Sequence, residues 1–399
     1  MLTPEAAWQQ LEPHLRPLGI EAADRTAAAG RVLARPVVAT ADLPATDVSA
    51  LDGFAFAAPS AGDRFRIVGT TLAGGAFGSA LSPGEAGRIM TGAPVPPGAL
   101  AVLGFEDCAS DERSVRPRVA TELGAAIRRR GEIFRAGAEL LAAGERLSPA
   151  ALALLASQGI VRVDVSRRPR VEILVTGDEV SRAAGELRAG EVRDSHSDFL
   201  VAELRTLGIE PLRGDLVPDD SATLRERLRL AAGRADVVMT TGGVSVGDAD
   251  LVAKVALELD FTTLFHGVAM QPGKPLFAAA RGETVLFGLP GNPGSVMTAT
   301  WLFVRPALRR LGGEAGGFWS DTVHARLEGE LGAGKSRDRF VPARARLQGG
   351  AWRARSLSPK GSHDLVAFAR ANALLRVVPG DPARAAGAAC DLLLLGEPG

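Results

Sequence analysis

The residues best suited to chemistry lie where apolar runs meet glycines. Asp236-Val-Val-Met-Thr-Thr241 runs into Gly242-Gly-Val-Ser-Val-Gly-Asp-Ala-Asp250. Gly242, Gly243 and Gly247 let the backbone approach a ligand closely, and free N–H groups at the start of a following helix favour an anion such as phosphate. Asp248 and Asp250 fall at the N-cap or first turn of that helix, where a capping carboxylate and a metal ligand are both open readings. Val175-Thr-Gly-Asp-Glu179 is the parallel feature: an apolar run, a glycine, then two carboxylates. Mg²⁺ between these acids and a phosphate would use oxygen ligands from both, and a solvated turn is the alternative.

A third junction, Leu286-Phe-Gly-Leu-Pro-Gly-Asn-Pro-Gly-Ser295, stiffens its backbone with two prolines. Ser295 is expected to cap a helix and to offer a hydroxyl to an anion. Asn292 reads equally as a turn former and as a ligand contact. Met270-Gln-Pro-Gly-Lys-Pro275 holds Lys274 between prolines, as an oxyanion ligand or an exposed loop lysine. Four further polar islands lie elsewhere: Asp47–Phe54, Arg88–Gly98, Lys360–Asp364 and Arg370–Ala373. Spacing alone does not connect them to the other three.

These junctions require a particular scaffold. Apolar runs at Val171–Val175, Val237–Thr240 and Val285–Leu289 alternate with amphipathic segments at 196–207, 221–231, 249–259 and 295–310. That alternation predicts a doubly wound, Rossmann-like α/β domain, in which ligands bind outside the carboxyl ends of the strands. Upstream, Thr3, Pro4 and Glu5 open a short surface helix within 2–18, and residues 31–147 read as short β runs between Gly/Pro turns. Ser148-Pro149 caps a helix to Ser157. After Leu311-Gly-Gly313, runs at Val323–Leu327, Arg344–Leu347, Trp352–Leu357 and Ala373–Val378 predict a small β domain.

Composition narrows the function. The 399 residues carry 46 basic and 46 acidic side chains, so no global field favours nucleic acid or an anionic membrane, and an anion site must be local. Only four of the basic residues are lysines, and there are two asparagines and no tyrosine. Cys108 and Cys390 form no metal-ligand spacing, and with no signal-like N-terminus and no run approaching about 18 apolar residues the expectation is a cytoplasmic protein, neither exported nor embedded. P-loop, HExxH, GxSxG and strand-following GxGxxG signatures are missing, which removes support for P-loop kinases, zincins, α/β hydrolases and standard dinucleotide enzymes.

Val175-Thr-Gly-Asp-Glu179, Thr241–Asp250, Pro272-Gly-Lys-Pro275 and Leu289-Pro-Gly-Asn-Pro293, in this order, resemble the MoeA family of molybdopterin molybdenumtransferases, also seen as the E domain of gephyrin. Ser49-Ala-Leu-Asp-Gly53, Arg88-Ile-Met-Thr-Gly-Ala-Pro94 and Gly361-Ser362 extend the match over essentially the whole chain. The α/β part alone also resembles MogA-like adenylyltransferase and CinA domains.

The resemblance implies a multi-domain α/β and β architecture: a three-layer MogA-type domain over 169–311, elongated β-rich N-terminal domains (1–50 with 135–168, and 51–134), and a small β-barrel-like domain over 312–399. It implies a homodimer whose active site lies between one subunit's α/β domain and the other's N-terminal domains. The reaction implied is insertion of molybdate into adenylylated molybdopterin, with Mg²⁺-dependent release of AMP. Asp52, Thr91, Glu179, Asp219 and Asp250 are the implied catalytic set, and Glu179 and Asp250 the implied metal ligands. Gly242, Gly243, Ser245, Lys274, Pro290, Gly291, Asn292, Ser295 and Ser362 are the implied substrate and oxyanion contacts. A molybdopterin adenylyltransferase and maturation proteins of molybdenum enzymes are implied as transient partners.

The chain departs from the family at Gly267 and Gln271, where relatives carry lysine, and at Pro342, where many carry arginine; Arg339 and Arg344 flank that last position. These departures keep two alternatives in view, a weakly catalytic molybdopterin carrier or scaffold and an enzyme tuned to tungstate.

Overall fold

The computed structural model describes residues 1–76, 78–244 and 250–396. The α/β domain is built on a six-stranded sheet in the order Leu212–Val217, Val171–Thr176, Val237–Thr241, Thr284–Leu289, Phe277–Arg281, Thr262–His266. The first four strands are parallel, and Phe277–Arg281 runs against both of its neighbours. Val171–Thr176 is buried along its whole length, as expected of a strand covered by helices on both faces. The chain leaves this strand for Leu212–Val217 on one side and returns to Val237–Thr241 on the other, so the crevice of the sheet opens between Val171–Thr176 and Val237–Thr241.

The expected amphipathic segments appear as His196–Thr206, Ser221–Ala232, Leu251–Glu258 and a composite helix running from Pro293 through a π turn at Thr300–Val304 to Leu311. Pro4–Leu11 is a helix capped by Thr3 Oγ1, but it is not a surface one. Ala7, Trp8 and Leu11 are buried in the main α/β core, because their spacing places three apolar side chains on one face.

The C-terminal strands close on themselves. Asp338–Gln348 pairs with Ala351–Ser356 along its second half and with Ala373–Val377 along its first; Thr322–Leu327 and Ala389–Leu394 complete the ring. Ala325, Ala343, Ala345, Ala354 and Ala373 fill the interior, and small side chains suit so narrow a barrel. Phe340, Leu374 and Leu393 instead join the α/β core, which seats the barrel on that domain. Arg376 reinforces the seat by bonding Asp338 of the barrel at 2.8 Å and Glu5 of the first helix at 2.5 Å.

Between residues 28 and 148 the described residues form strands, bridges, turns and a 3-10 turn at Phe105–Asp107, with a six-stranded sheet whose two central members are Glu85–Ile89 and Phe65–Thr71. The helix Pro149–Ser157 is capped by Ser148, as its sequence predicts. Both cysteines are buried and unpaired by disulfide. No described helix is long and apolar enough to cross a membrane.

Candidate active site

The sequence-predicted residues fall into four groups. The largest surrounds a cavity of about 600 Å³ between the α/β domain and the barrel, whose lining includes Lys274, Asn292, Ser295 and Ser362. Asn292 occupies the N-cap position of its helix but makes no side-chain capping bond, so its amide is free for another partner. Ser295 is not the cap; it lies buried in the first helical turn, with its N–H bonded to Asn292 O at 2.9 Å. Proline at the first helical position places Asn292, rather than Ser295, at the cap.

Ser362 is brought here by a close backbone contact. Gly294 N donates to Ser362 O at 2.8 Å, and a Cβ on Gly294 would lie 2.4 Å from Phe368 Cε2. The Ser362 segment is also bracketed by Asp364, which accepts from Lys360 N at 3.0 Å and caps the following helix through Ala367 N. Asn372, in contrast, is structural: its amide exchanges two bonds with the backbone of Ala345.

The cavity also holds Arg339, one of the two arginines flanking Pro342, and Arg337, which motif spacing leaves unassigned. Arg337 and Arg339 both line it, and neither has an acidic partner among the described residues. They reach it because Asp338, between them, is fixed by Arg376, while Met270–Gln271 pairs in parallel with Asp338 and Arg339. Arg339 donates to Ala333 O at 3.0 Å. Arg344, the other flanking arginine, lies on the outward face of the barrel, away from this lining, because side chains alternate along a strand. Gly267 has φ of +85°, a conformation that lysine rarely adopts, so the backbone itself disfavours a lysine at this position.

The second group is acidic and lies at the carboxyl ends of the parallel strands. Asp219 N donates to Asp178 Oδ1 at 3.2 Å. Burial raises the Asp219 pKa above the usual carboxylate value, and the neighbouring charges of Asp178 and Glu179 raise it further. Gly242 and Gly243 lie opposite, both in left-handed conformations and packed against Thr176. Three hard oxygen donors of like charge fit a divalent cation. Among the described residues, however, no three acidic, histidine or cysteine side chains are already gathered as a metal centre.

Asp52 and Thr91 form the third group, in the N-terminal sheet. Asp52 Oδ1 accepts from both Thr91 N and Thr91 Oγ1 at 2.7 Å, and these two bonds hold the Asp52 pKa below its ordinary value. Asp250 forms the fourth. Its Oδ1 caps the helix through Ala253 N at 2.9 Å and its Oδ2 lies 2.7 Å from His266 Nε2, with only 8% of the residue exposed. Burial raises its pKa. Asp250 is thus held by Ala253 N and His266, while Glu179 carries its charge beside Asp219. Pro290 and Gly291 shape the turn before Asn292 without lining the cavity. Ser245 and Asp248 lie outside the described residues.

The similarities to known proteins agree across the chain. Residues 2–159 match the MoeA N-terminal region (domain I and II), 172–310 a probable molybdopterin binding domain, and 324–395 the MoeA C-terminal region (domain IV). A molybdopterin molybdenumtransferase from Nostoc sp. is 35% identical over 367 residues, covering 89% of this chain and 84% of that protein. One from Staphylococcus epidermidis is 32% identical over 375 residues, covering 92% and 88%. The solved molybdopterin biosynthesis MoeA protein from Pyrococcus horikosii superposes with a TM-score of 0.83 at 30% identity, with 100% of each chain covered. The chain belongs to the MoeA family of molybdopterin molybdenumtransferases.

Proposed function

We propose that the chain inserts molybdate into adenylylated molybdopterin and releases AMP in a Mg²⁺-dependent step. The observation that carries this reading is the cavity that gathers Lys274, Arg337 and Arg339 with the hydroxyls of Ser295 and Ser362. Cations and hydroxyl donors around a half-enclosed space hold a tetrahedral dianion by charge-assisted hydrogen bonds. A volume of about 600 Å³ leaves room beside it for part of an organic ligand.

Glu179, Asp219 and Asp178 are the residues that would hold Mg²⁺, which when bound neutralises phosphate oxygens and favours cleavage of a phosphoanhydride. Gly242 and Gly243 offer close backbone approach on the other side of the crevice. Asp52, kept ionised by Thr91, is a fixed acceptor in the N-terminal domain. In a homodimer this pair of one copy would serve the α/β domain of the other. The place of action is the cytoplasm, with an adenylyltransferase supplying the substrate and maturation proteins receiving the product.

The test is incubation of purified chain with adenylylated molybdopterin, Mg²⁺ and molybdate. AMP release that depends on molybdate and collapses in Asp52→Ala supports the reading. Tight pterin binding without AMP release would support the carrier instead, and preference for tungstate in a competition assay would reassign the oxyanion.

A further inference from the structure

A second concentration of cations lies on the outward face of the barrel. Arg344 stands directly opposite Arg355, and Arg346 opposite Arg353, across one antiparallel pair. Arg353 is in turn the register partner of Arg326 on the next strand. The alternating residues Ala343, Ala345 and Ala354 point into the barrel, which commits all five arginines to the outer face. Strand spacing of about 4.8 Å and a two-residue step of about 6.6 Å place their Cα atoms within a patch roughly 10 Å by 7 Å.

Like charges directly opposite in a sheet are unfavourable, and here two such pairs are adjacent. Among the described residues only Glu328 relieves them, through bonds to Arg346 at 2.7 and 3.2 Å. Arg326 donates to Gly387 O, while Arg344, Arg353 and Arg355 have no acidic partner among the described residues. Glu328, Arg344, Arg346 and Arg355 surround a concavity of about 400 Å³.

We propose that this concavity is a binding site for a small anion carrying adjacent phosphoryl groups, of the pyrophosphate class, separate from the proposed molybdate cavity. Several guanidinium forks converging on one hollow match closely spaced anionic oxygens, which each fork binds in bidentate fashion. A nucleic acid fits poorly: the chain is neutral overall, and no aromatic side chain lines the hollow to stack a base.

The experiment is calorimetric titration of inorganic pyrophosphate into the full-length protein, its Arg344→Gln/Arg355→Gln variant and its Lys274→Ala variant. The proposal expects saturable binding that persists in Lys274→Ala and weakens at least about tenfold in the double variant. Because the double variant removes opposed charges, its melting temperature without ligand should equal or exceed that of the unmodified chain. Absence of pyrophosphate binding overturns the proposal. So does binding that is lost in Lys274→Ala and kept in the double variant, or a polyglutamate peptide that binds this face where pyrophosphate does not.

Discussion

Gln271 and Arg339 are direct register partners in a two-residue parallel strand pair, and both line the cavity shared by the α/β domain and the barrel. Arg339 therefore stands across from Gln271, the position at which the family resemblance implies a lysine. The charge missing from one strand is present on its neighbour, and Arg337 adds another from the same segment. Arg337→Gln and Arg339→Gln are each expected to raise the KM for molybdate about tenfold or more, the size of a lost charge-assisted hydrogen bond. Adding Gln271→Lys to Arg339→Gln should recover most of that loss. Steady-state kinetics with varied molybdate checks both.

Gly294 has no room for a methyl group, since Phe368 and Ser362 O crowd the place of its Cβ. Gly294→Ala should push the Ser362 segment away from Asn292 and destabilise the chain by about 1–3 kcal/mol, as overpacked sites do. Thermal unfolding reads the cost, and a raised KM for molybdate with the cations intact reads the displacement of Ser362.

Thr91 donates twice to one oxygen of Asp52, which lowers that carboxyl pKa. A lowered folded-state value contributes stability above the unfolded value near 3.8, and this contribution is lost as pH falls through the folded pKa. Thr91→Val removes the hydroxyl bond and leaves the backbone one. The Asp52 pKa should therefore move part of the way back towards 3.8, as measured by carboxyl-carbon NMR titration.

Asp219 responds to the opposite influences, burial and the like charges of Asp178 and Glu179. Asp178→Asn should lower the Asp219 pKa by removing one of those charges. A raised folded-state value means that this group's contribution is fully present below the unfolded pKa and lost as pH rises through the folded one. Mg²⁺ should weaken that loss by stabilising the ionised form, so the Mg²⁺-induced rise in melting temperature should be larger at pH 7 than at pH 4 and should shrink in Glu179→Gln.

Much of this was legible in the sequence because strand-to-loop junctions carry it. Val171–Thr176, Val237–Thr241 and Thr284–Leu289 are short, largely apolar runs, interrupted only by Glu172, Gly288 and threonines, and the glycine and acidic loops follow them directly. Phe277–Arg281 was not legible, since three consecutive alanines are weak strand formers and only burial beside Thr284–Leu289 makes them one. Leu212–Val217 is an edge strand broken by glycine and charge. Arg337 lies in a polar run without local periodicity, and its position depends on Asp338 being held by Arg376 from 38 residues away. The His266 partner of Asp250 is likewise a tertiary contact, made by a strand that spacing did not reveal.

The central claim is that Lys274, Arg337, Arg339 and the neighbouring hydroxyls hold molybdate for insertion into adenylylated molybdopterin. The most direct measurement is AMP release by the purified protein from that substrate, with Mg²⁺ present and molybdate varied. The account predicts saturable dependence on molybdate, with a half-saturating concentration that rises about tenfold in Arg337→Gln. AMP release that is absent, or that is indifferent to molybdate, would contradict it.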